Sequence, residues 1–195
     1  MARSDEEGPV VVTTEDVGTK TDQYVVVEGP VGPLFVAFGD RGLTRVAAAG
    51  PGDLAPAEFE RQYELRFGRR PSPAAVAPPG LLAALHDGSP RGLTVDLTGL
   101  SAFGRAVLSV TAQIPFGQVR SYAWVAAEVG RPGAVRAVGS ALGRNPLPVV
   151  IACHRVIRSD GRVGEYGFGA ECKRALLARE GVELDGSAVR APARP

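Results

Sequence analysis

The stretch FGQVRSYAWVAAEVGRPGAVRAVGSALGRN, residues 116–145, contains the pattern that decides the fold of this chain. Ser121 precedes an apolar run with helical spacing, as an N-capping residue does, and predicts a helix over Tyr122–Val129. The GRPG segment, residues 130–133, ends that helix, and the next residues predict a second helix over Ala134–Leu142. Two short helices joined by a four-residue turn are typical of a helix-turn-helix or of an ordinary helical hairpin.

The second of these helices consists mostly of small residues around one arginine, Arg136. The small residues are Ala134, Ala137, Gly139, Ser140 and Ala141. Glycine inside a helix costs about 1 kcal/mol relative to alanine, so Gly139 indicates a close approach, either to another part of the protein or to DNA. Helices that read the major groove usually carry long polar side chains. If this helix meets DNA, we therefore expect a shallow contact that reads little sequence, as in the minor groove.

A cysteine and a histidine stand side by side in the next segment, NPLPVVIACHRVIRSDG, residues 145–161. The apolar run Val149–Ala152 predicts a buried strand that leads to Cys153. Neighbours on a strand point to opposite faces, so contact between Cys153 and His154 requires a bridging water or a sharp turn. A nucleophilic cysteine also needs a group that orients its histidine, and Glu180 is the candidate. The alternative is a buried cysteine with a packing role only.

The first half of the chain has the pattern of a small sheet with helices. Strands are predicted at Tyr24–Glu28, Pro33–Phe38, Gly42–Ala47 and Leu93–Leu97, the first three as an antiparallel meander. Helices are predicted around Phe59, Tyr63 and Phe67, at Leu81–His86, and after the N-capping residue Ser101. The fold class is therefore α/β, of the α+β kind, in two parts. We predict a disordered tail over residues 1–22, an N-terminal domain over 23–97, a C-terminal domain over 98–183 and a flexible tail over 184–195.

Charge is divided unevenly between the two halves. Residues 1–96 contain 9 Lys and Arg against 14 Asp and Glu, and residues 97–195 contain 13 against 7, so the net charge of +1 combines −5 with +6. Such asymmetry indicates a basic surface for an anion such as nucleic acid, or chance scatter. The two cysteines and two histidines fit no zinc motif, and no apolar run reaches the ~18 residues of a membrane span. We expect a cytoplasmic protein without a signal peptide, metal or cofactor.

Three segments together resemble one protein family. They are IPFGQVRSYAWVA (114–126), RAVGSALGRNP (136–146) and NPLPVVIACHRVIRSDGRVGEYGFGAECKRALLAREG (145–181). They are similar to the O6-alkylguanine-DNA alkyltransferases, the methylated-DNA–protein-cysteine methyltransferases, and weaker similarity extends over residues 24–183. The resemblance implies a ribonuclease H-like N-terminal part and a winged-helix-like C-terminal part. It also implies a single-turnover transfer of the alkyl group from O6-alkylguanine, and from O4-alkylthymine, in duplex DNA after base flipping.

The same resemblance implies a role for individual residues. Cys153 accepts the alkyl group, His154 acts as base through a water, Glu180 orients His154, Asn145 holds the turn before Cys153, and Tyr122 contacts a phosphate and the leaving guanine. Residues implied in DNA binding are Arg136, which enters the base stack, and Tyr122, Ala134, Ala137, Gly139, Ser140 and Arg155. Residues implied in the substrate pocket are Pro148, Gly164, Tyr166, Gly167, Phe168 and Lys173.

The sequence departs from the family pattern at a few positions. Ala152 replaces the usual proline before the cysteine, Gly167 replaces a commonly polar residue, and Phe168 replaces a small one. The N-terminal half has no cysteine, so the zinc site of some members is absent. The partner implied is double-stranded DNA with O6-alkylguanine, bound by a free monomer or by several copies cooperatively. The alternatives are a lesion sensor without transfer, a class that lacks the cysteine, and a Cys-His hydrolase unrelated to DNA.

Overall fold

The computed structural model describes residues 11–13, 21–49, 54–88, 90 and 92–189. The strands are β1 (Val11–Thr13), β2 (Gln23–Gly29), β3 (Gly32–Gly39), β4 (Gly42–Ala48), β5 (Ser72–Pro73), β6 (Thr94–Asp96), β7 (Arg120–Ser121), β8 (Val156–Ile157), β9 (Leu184–Asp185) and β10 (Ala188–Val189). The helices are α1 (Pro56–Phe67), α2 (Leu81–Asp87), α3 (Ala102–Thr111), α4 (Tyr122–Glu128), α5 (Val135–Leu142) and α6 (Ala170–Arg179). A single 3-10 turn covers Cys153–Arg155. The predicted mixture of strands and helices is confirmed.

Six strands form one mixed sheet in the order β1-β6-β4-β3-β2-β5. Antiparallel pairing of β2 with β3 and of β3 with β4 confirms the predicted meander. Strand β6 lies parallel to both β4 and β1, and β5 lies parallel to β2. Parallel partners are joined by long connections without a tight turn. The sequence therefore predicted β6 as a strand but did not predict its neighbours.

The turn between β3 and β4 requires a glycine at Gly42. Its φ is +109°, which side chains rarely adopt, and a Cβ there would lie 2.1 Å from the carbonyl oxygen of Thr94 on β6. Only a residue without a side chain allows the backbone of β6 to come this close.

Helix α1 covers one face of the sheet with aromatic side chains. Phe59 and Tyr63 are fully buried, and the ring of Phe59 stacks on Phe35 of β3 with centroids 4.6 Å apart. Phe67 continues this row beside Tyr63 at 4.3 Å. The spacing that predicted the helix is therefore the spacing of its buried face. Proline at the first turn and Gly68 in a left-handed conformation mark its two ends.

A second hydrophobic core is shared by the two halves of the chain. It runs from Val36 and Leu85 in the N-terminal half to Val107, Val125 and Val150 in the C-terminal half. The predicted halves therefore share buried surface.

Strands β7 and β8 pair in parallel, with Arg120 opposite Val156 and Ser121 opposite Ile157. This pairing sets the start of α4 beside the turn Cys153–Arg155, which leads directly into β8. Ser121 accepts a hydrogen bond from Trp124 N at 3.0 Å and caps α4, as the sequence predicted.

Parts of both predicted tails have regular structure. Residues 11–13 pair with β6, and Asp22 is buried, so the prediction of disorder over residues 1–22 is wrong there. Strands β9 and β10 form a hairpin whose Ser187 carbonyl accepts a bond from Val163 N, so the prediction of a flexible tail is wrong for residues 184–189. The rest of both predicted tails lies outside the described residues, apart from residue 21. Strands of two or three residues give too little sequence pattern to be recognised.

Candidate active site and DNA-binding surface

Cys153 lies in a turn that Asn145 holds together. Nδ2 of Asn145 donates to the Ile151 carbonyl at 2.9 Å and to Sγ of Cys153 at 3.1 Å. Its Oδ1 accepts a bond from Leu147 N at 2.9 Å. One amide side chain therefore links the end of α5, the turn and the sulfur atom. This is the position that the family resemblance implied for Asn145.

The strand predicted for residues 149–152 is wrong. Val149 has φ +73°, a left-handed conformation that a β-branched residue rarely adopts, and the Ile151 N–H bonds back to the Leu147 carbonyl. The chain turns here, and the apolar side chains are buried because they fill the shared core. An apolar run of this length cannot by itself distinguish a strand from a buried turn.

Cys153 and His154 lie in a 3-10 turn and not in a strand. Their side chains therefore do not have to point to opposite faces. His154 is 0% exposed, and its Nε2 lies 2.7 Å from Oε1 of Glu180. Its other ring nitrogen, Nδ1, is buried and has no hydrogen-bond partner among the described residues. Burial lowers the pKa of His154, while the carboxylate of Glu180 opposes that shift. The histidine is therefore oriented by Glu180 and neutral near pH 7.

Arg155 does not face DNA, and the prediction that it binds DNA is wrong. The residue is 1% exposed, and its side chain forms a two-point ion pair with Glu180, through Nε at 2.8 Å and Nη2 at 2.9 Å. Nη1 donates to the Ile114 carbonyl at 2.7 Å. A buried guanidinium needs such partners for its donors. The sequence shows that residue 155 is basic, but the 3-10 turn determines that its side chain points into the protein.

Four donors converge on the carboxylate of Glu180. They are His154 Nε2, Nε and Nη2 of Arg155, and the backbone N–H of Gly117 at 3.1 Å. Burial opposes the charged form of Glu180, but the hydrogen bonds from His154 and Arg155 outweigh it and lower the pKa to about 2. Glu180 is thus a fixed anion beside the histidine.

The thiol of Cys153 is neutral at rest. Burial raises its pKa, and the bond from Asn145 and the charge of Lys173 oppose that shift. Lys173 is itself fully buried, with Nζ 2.7 Å from the Val156 carbonyl and 5.8 Å from the ring centroid of Tyr122. Burial lowers the pKa of Lys173 to about 8. A neutral thiol and a neutral imidazole therefore face a nearby cation that favours the thiolate once it forms.

A cavity of about 990 Å³ opens in front of the cysteine. Its lining includes Tyr122, Cys153, Gly164, Tyr166 and Gly167, which the sequence had assigned to the site.

Three other residues assigned to the pocket do not line this cavity. Pro148 is buried, Phe168 packs edge-on against Tyr166 at 5.8 Å, and Lys173 lies behind Tyr122. The prediction that these three residues line the pocket is therefore wrong, because Pro148 and Lys173 are buried and Phe168 packs against Tyr166.

The mouth of the cavity is formed by α5 and by a turn that the sequence did not single out. Arg136, Gly139 and Ser140 line it from α5, whereas Ala137 of that helix and the residue before it, Ala134, lie outside the lining. Arg158, Ser159 and Asp160 line it from the other side. The Ser159-Asp160-Gly161 run is a turn signal, and Arg158 belongs to the basic half, so this rim could have been suspected from the sequence.

Room around Gly139 shows that the protein interior does not require a glycine there. A Cβ at this position would lie 3.9 Å from Cε1 of Tyr122, an ordinary contact distance. Of the two explanations for this residue, a close approach within the protein is therefore the weaker.

The described part of the chain shows neither a membrane-spanning helix nor a metal-binding cluster. No helix in it is both long and apolar enough to cross a membrane. No group of three or more His, Cys, Asp or Glu side chains in it could hold a metal ion.

The chain is similar to members of one protein family. The family model described as 6-O-methylguanine DNA methyltransferase, DNA binding domain, matches residues 102–182. A methylated-DNA–protein-cysteine methyltransferase of Mycolicibacterium paratuberculosis is 37% identical over 164 residues, which cover 81% of this chain and 92% of that protein. The O6-methylguanine methyltransferase of Mycobacterium tuberculosis superposes with a TM-score of 0.66 at 31% identity, covering 82% and 93% of the two chains. A structure of Mycobacterium tuberculosis OGT in complex with DNA gives a TM-score of 0.63 at 32% identity, again covering 82% and 93%.

The site and these similarities define a class of DNA-binding proteins that carry an acceptor cysteine. The chain belongs to the methylated-DNA–protein-cysteine methyltransferase family, which confirms the resemblance inferred from its sequence.

Proposed function

We propose that the protein repairs DNA by moving the alkyl group of O6-alkylguanine onto its own Cys153. The observation that carries this proposal is the position of Sγ. It lies on the wall of a cavity between α5 and the rim turn, in front of the His154–Glu180 pair. The new S–C bond replaces the C–O6 bond, and guanine leaves with its O6 restored. Because a thioether does not hydrolyse readily, each molecule reacts once.

The thiol loses its proton within the site. His154 takes the proton through a water at Nδ1, the nitrogen that has no partner among the described residues. Glu180 stabilises the imidazolium that results, as an acidic partner of a catalytic histidine does. The bond from Asn145 and the charge of Lys173 stabilise the thiolate. The neutral resting pair thus becomes an ion pair only when the substrate is present.

The leaving guanine needs a hydrogen bond to carry its charge. Tyr122 lines the cavity, and burial raises its pKa, with the Cys153 and Glu165 charges adding to the effect. Its hydroxyl is therefore protonated at neutral pH and donates to N3 of the departing base. A phosphate next to the target nucleotide is its second contact.

The substrate base must leave the duplex before it can react. O6 of a paired guanine is buried in the helix, and extrusion costs a few kcal/mol, less for a mispaired lesion. Arg136 is exposed on α5 at the mouth of the cavity and fills the space that the base leaves. The small residues of α5 allow its backbone to approach the minor groove with few base-edge contacts.

The proposal includes finer expectations about fold, substrate and assembly. The N-terminal part is ribonuclease H-like, and the C-terminal part is winged-helix-like, with α4 and α5 as the helix-turn-helix. O4-alkylthymine is a second substrate because its alkyl oxygen occupies a similar place on a flipped base. The free protein is a cytoplasmic monomer, which binds DNA singly or in cooperative copies.

The test is a duplex that carries a labelled methyl group on O6 of guanine. We expect one methyl per molecule, found by mass spectrometry on the peptide that contains Cys153. Cys153→Ser should take up no label and still bind the duplex, because a serine hydroxyl is a poor nucleophile at similar volume. Cys172→Ser, the matched change at the other cysteine, should leave the transfer intact.

Other outcomes point to other functions. Binding of the lesion without uptake of label by the wild-type protein would indicate a sensor. Repeated turnover with release of methanol would indicate a hydrolase. Label on Cys172 would contradict the proposed acceptor.

A further inference from the structure

The C-terminal end of α2 lies against the side chains of Arg155 and Arg179. Nη2 of Arg155 is 3.3 Å from the Asp87 carbonyl, and Nη1 of Arg179 donates to the His86 carbonyl at 2.7 Å. The last carbonyls of a helix have no partner within it and carry partial negative charge. Arg155 and Arg179, two cations of the C-terminal half, therefore contact the C-terminal end of α2 in the N-terminal half.

Gly88 ends this helix in close contact with the same group. It is buried, with φ +61°, and its N–H bonds to the Ala84 carbonyl. A Cβ on Gly88 would lie 2.3 Å from Nη2 of Arg155 and 3.3 Å from Oε1 of Glu180. The position has no room for a side chain as long as Arg155 stays where it is.

Arg155 has little freedom to move away. Its guanidinium donates to both carboxylate oxygens of Glu180 and to the Ile114 carbonyl, and its side chain is 2% exposed. A shift of Nη2 away from Gly88 would therefore break a bond to Glu180 or to Ile114. Because Glu180 also accepts the bond from His154, the disturbance would reach the histidine.

We propose that Gly88, at the end of α2, is a positioning residue for alkyl transfer: its missing side chain leaves the space in which Arg155 clamps Glu180 against His154. This inference rests on the proposed function. It gives the N-terminal half a role in the chemistry, although none of the residues described in that half lines the cavity.

The matched experiment compares Gly88→Ala with Gly80→Ala. Both glycines flank α2 and both have positive φ, +61° and +79°, so alanine strains the backbone at each. Only the methyl at Gly88 meets Arg155, because a Cβ at Gly80 finds a single atom, Cδ2 of Leu93, at 3.8 Å. The rate constant is measured with free O6-benzylguanine, and DNA affinity is measured for each variant in the Cys153→Ser background.

We expect Gly88→Ala to transfer at least tenfold more slowly than Gly80→Ala, with a loss of up to about 100-fold, as small misplacements of catalytic groups cause. Affinity for lesion DNA should match in the two variants.

The pH profile separates positioning from general loosening. Charged or titratable groups near His154 are Glu180, Arg155 and Lys173, together with Cys153 and Tyr166. The charge of Arg155 lowers the pKa of His154, so displacing it should move the acid limb of the rate to higher pH in Gly88→Ala alone.

Equal rates in the two alanine variants, or a slower Gly88→Ala with an unchanged pH profile, would overturn the inference while the proposed function stands. A wild-type protein that takes up no alkyl group would overturn both.

If Gly88→Ala is insoluble, the same comparison is made in an Arg155→Lys background, where Nη2 is absent. There Gly88→Ala should add no further loss beyond that of Gly80→Ala, and an additional loss would contradict the clamp.

Discussion

Cys153 and two residues beside it define the resting state of the site. Cys153 is neutral because it is buried, His154 is neutral for the same reason, and Glu180 stays charged because four donors surround it. Glu180 is therefore a fixed anion, whereas Cys153 and His154 are neutral until a proton moves from the thiol to the imidazole. Such an arrangement limits reaction with small electrophiles, since the thiolate is the reactive form.

The acid limb of transfer should report the neutral form of His154. The base must be unprotonated to accept the thiol proton, and burial lowers the pKa of His154. The rate with free O6-benzylguanine should therefore fall only at pH values below the ordinary histidine value of about 6.5. Stopped-flow or quenched assays from pH 5 to 8 check this. A midpoint above that value would contradict a buried neutral base.

Replacing Ala152 by proline should be tolerated. Ala152 has φ −71°, a value that proline also adopts. Its backbone N–H donates no hydrogen bond to another described residue. Transfer should change little, and stability should rise by about 0.4–1 kcal/mol because the unfolded chain is restricted. Urea unfolding and the methyl-transfer rate measure the two effects. A loss of about 1–3 kcal/mol would instead reveal a buried N–H that needs its partner.

Helix α5 has one face in the core and one face at the mouth of the cavity, where the proposed function places the DNA. Val138 and Leu142 fill the shared core, whereas Arg136 and Ala137 are exposed. The inward face explains why the segment is a helix, and the outward face explains why it is poor in large side chains. Substitutions on the outward face should change DNA binding more than stability.

Gly139→Ala should separate these two effects. The added methyl has room, so the helix should gain up to about 1 kcal/mol in stability. If the backbone of α5 approaches DNA closely at this point, the same methyl should weaken binding to duplex. Thermal unfolding and fluorescence anisotropy with labelled DNA test both statements. Unchanged affinity in a stabilised variant would place Gly139 outside the DNA contact.

Arg136→Ala should reduce repair of paired lesions more than reaction with free O6-benzylguanine. The reason is that the proposed function assigns Arg136 to the duplex and not to the sulfur atom. Arg61→Ala is the control, because Arg61 is an exposed arginine on α1, paired with Glu58 and outside the cavity. Rates with both substrates are compared for each variant. Equal losses of Arg136→Ala on the two substrates would reject its role in base extrusion.

At the scale of the whole molecule, the two halves share a core and a catalytic support. The cluster that includes Val36 and Leu85 continues to Val150 and Cys153. The Val46 N–H also bonds to the Pro146 carbonyl, directly after Asn145. The N-terminal half, with net negative charge, thus supports the C-terminal half, with net positive charge. The two halves differ in charge but share one core.

Unfolding should therefore be a single transition. Trp124, the only tryptophan, reports on the C-terminal half, and the far-ultraviolet circular dichroism reports on both halves. In urea the two signals should change together, as expected for one cooperative unit. Two separated midpoints would show that the shared core does not couple the halves.

The sequence by itself determined the meander, helices α1 to α5 in outline, and the family to which Cys153, His154 and Asn145 belong. These depend on short-range features, namely hydrophobic period, capping residues and ordered motifs, which are written locally in the chain. Only the tertiary structure decided the parallel neighbours of β6, the turn at Val149, the burial of Arg155 and the support from Gly88. Each of these depends on atoms far apart in sequence, whose approach is set by core packing and by the need to satisfy buried charges.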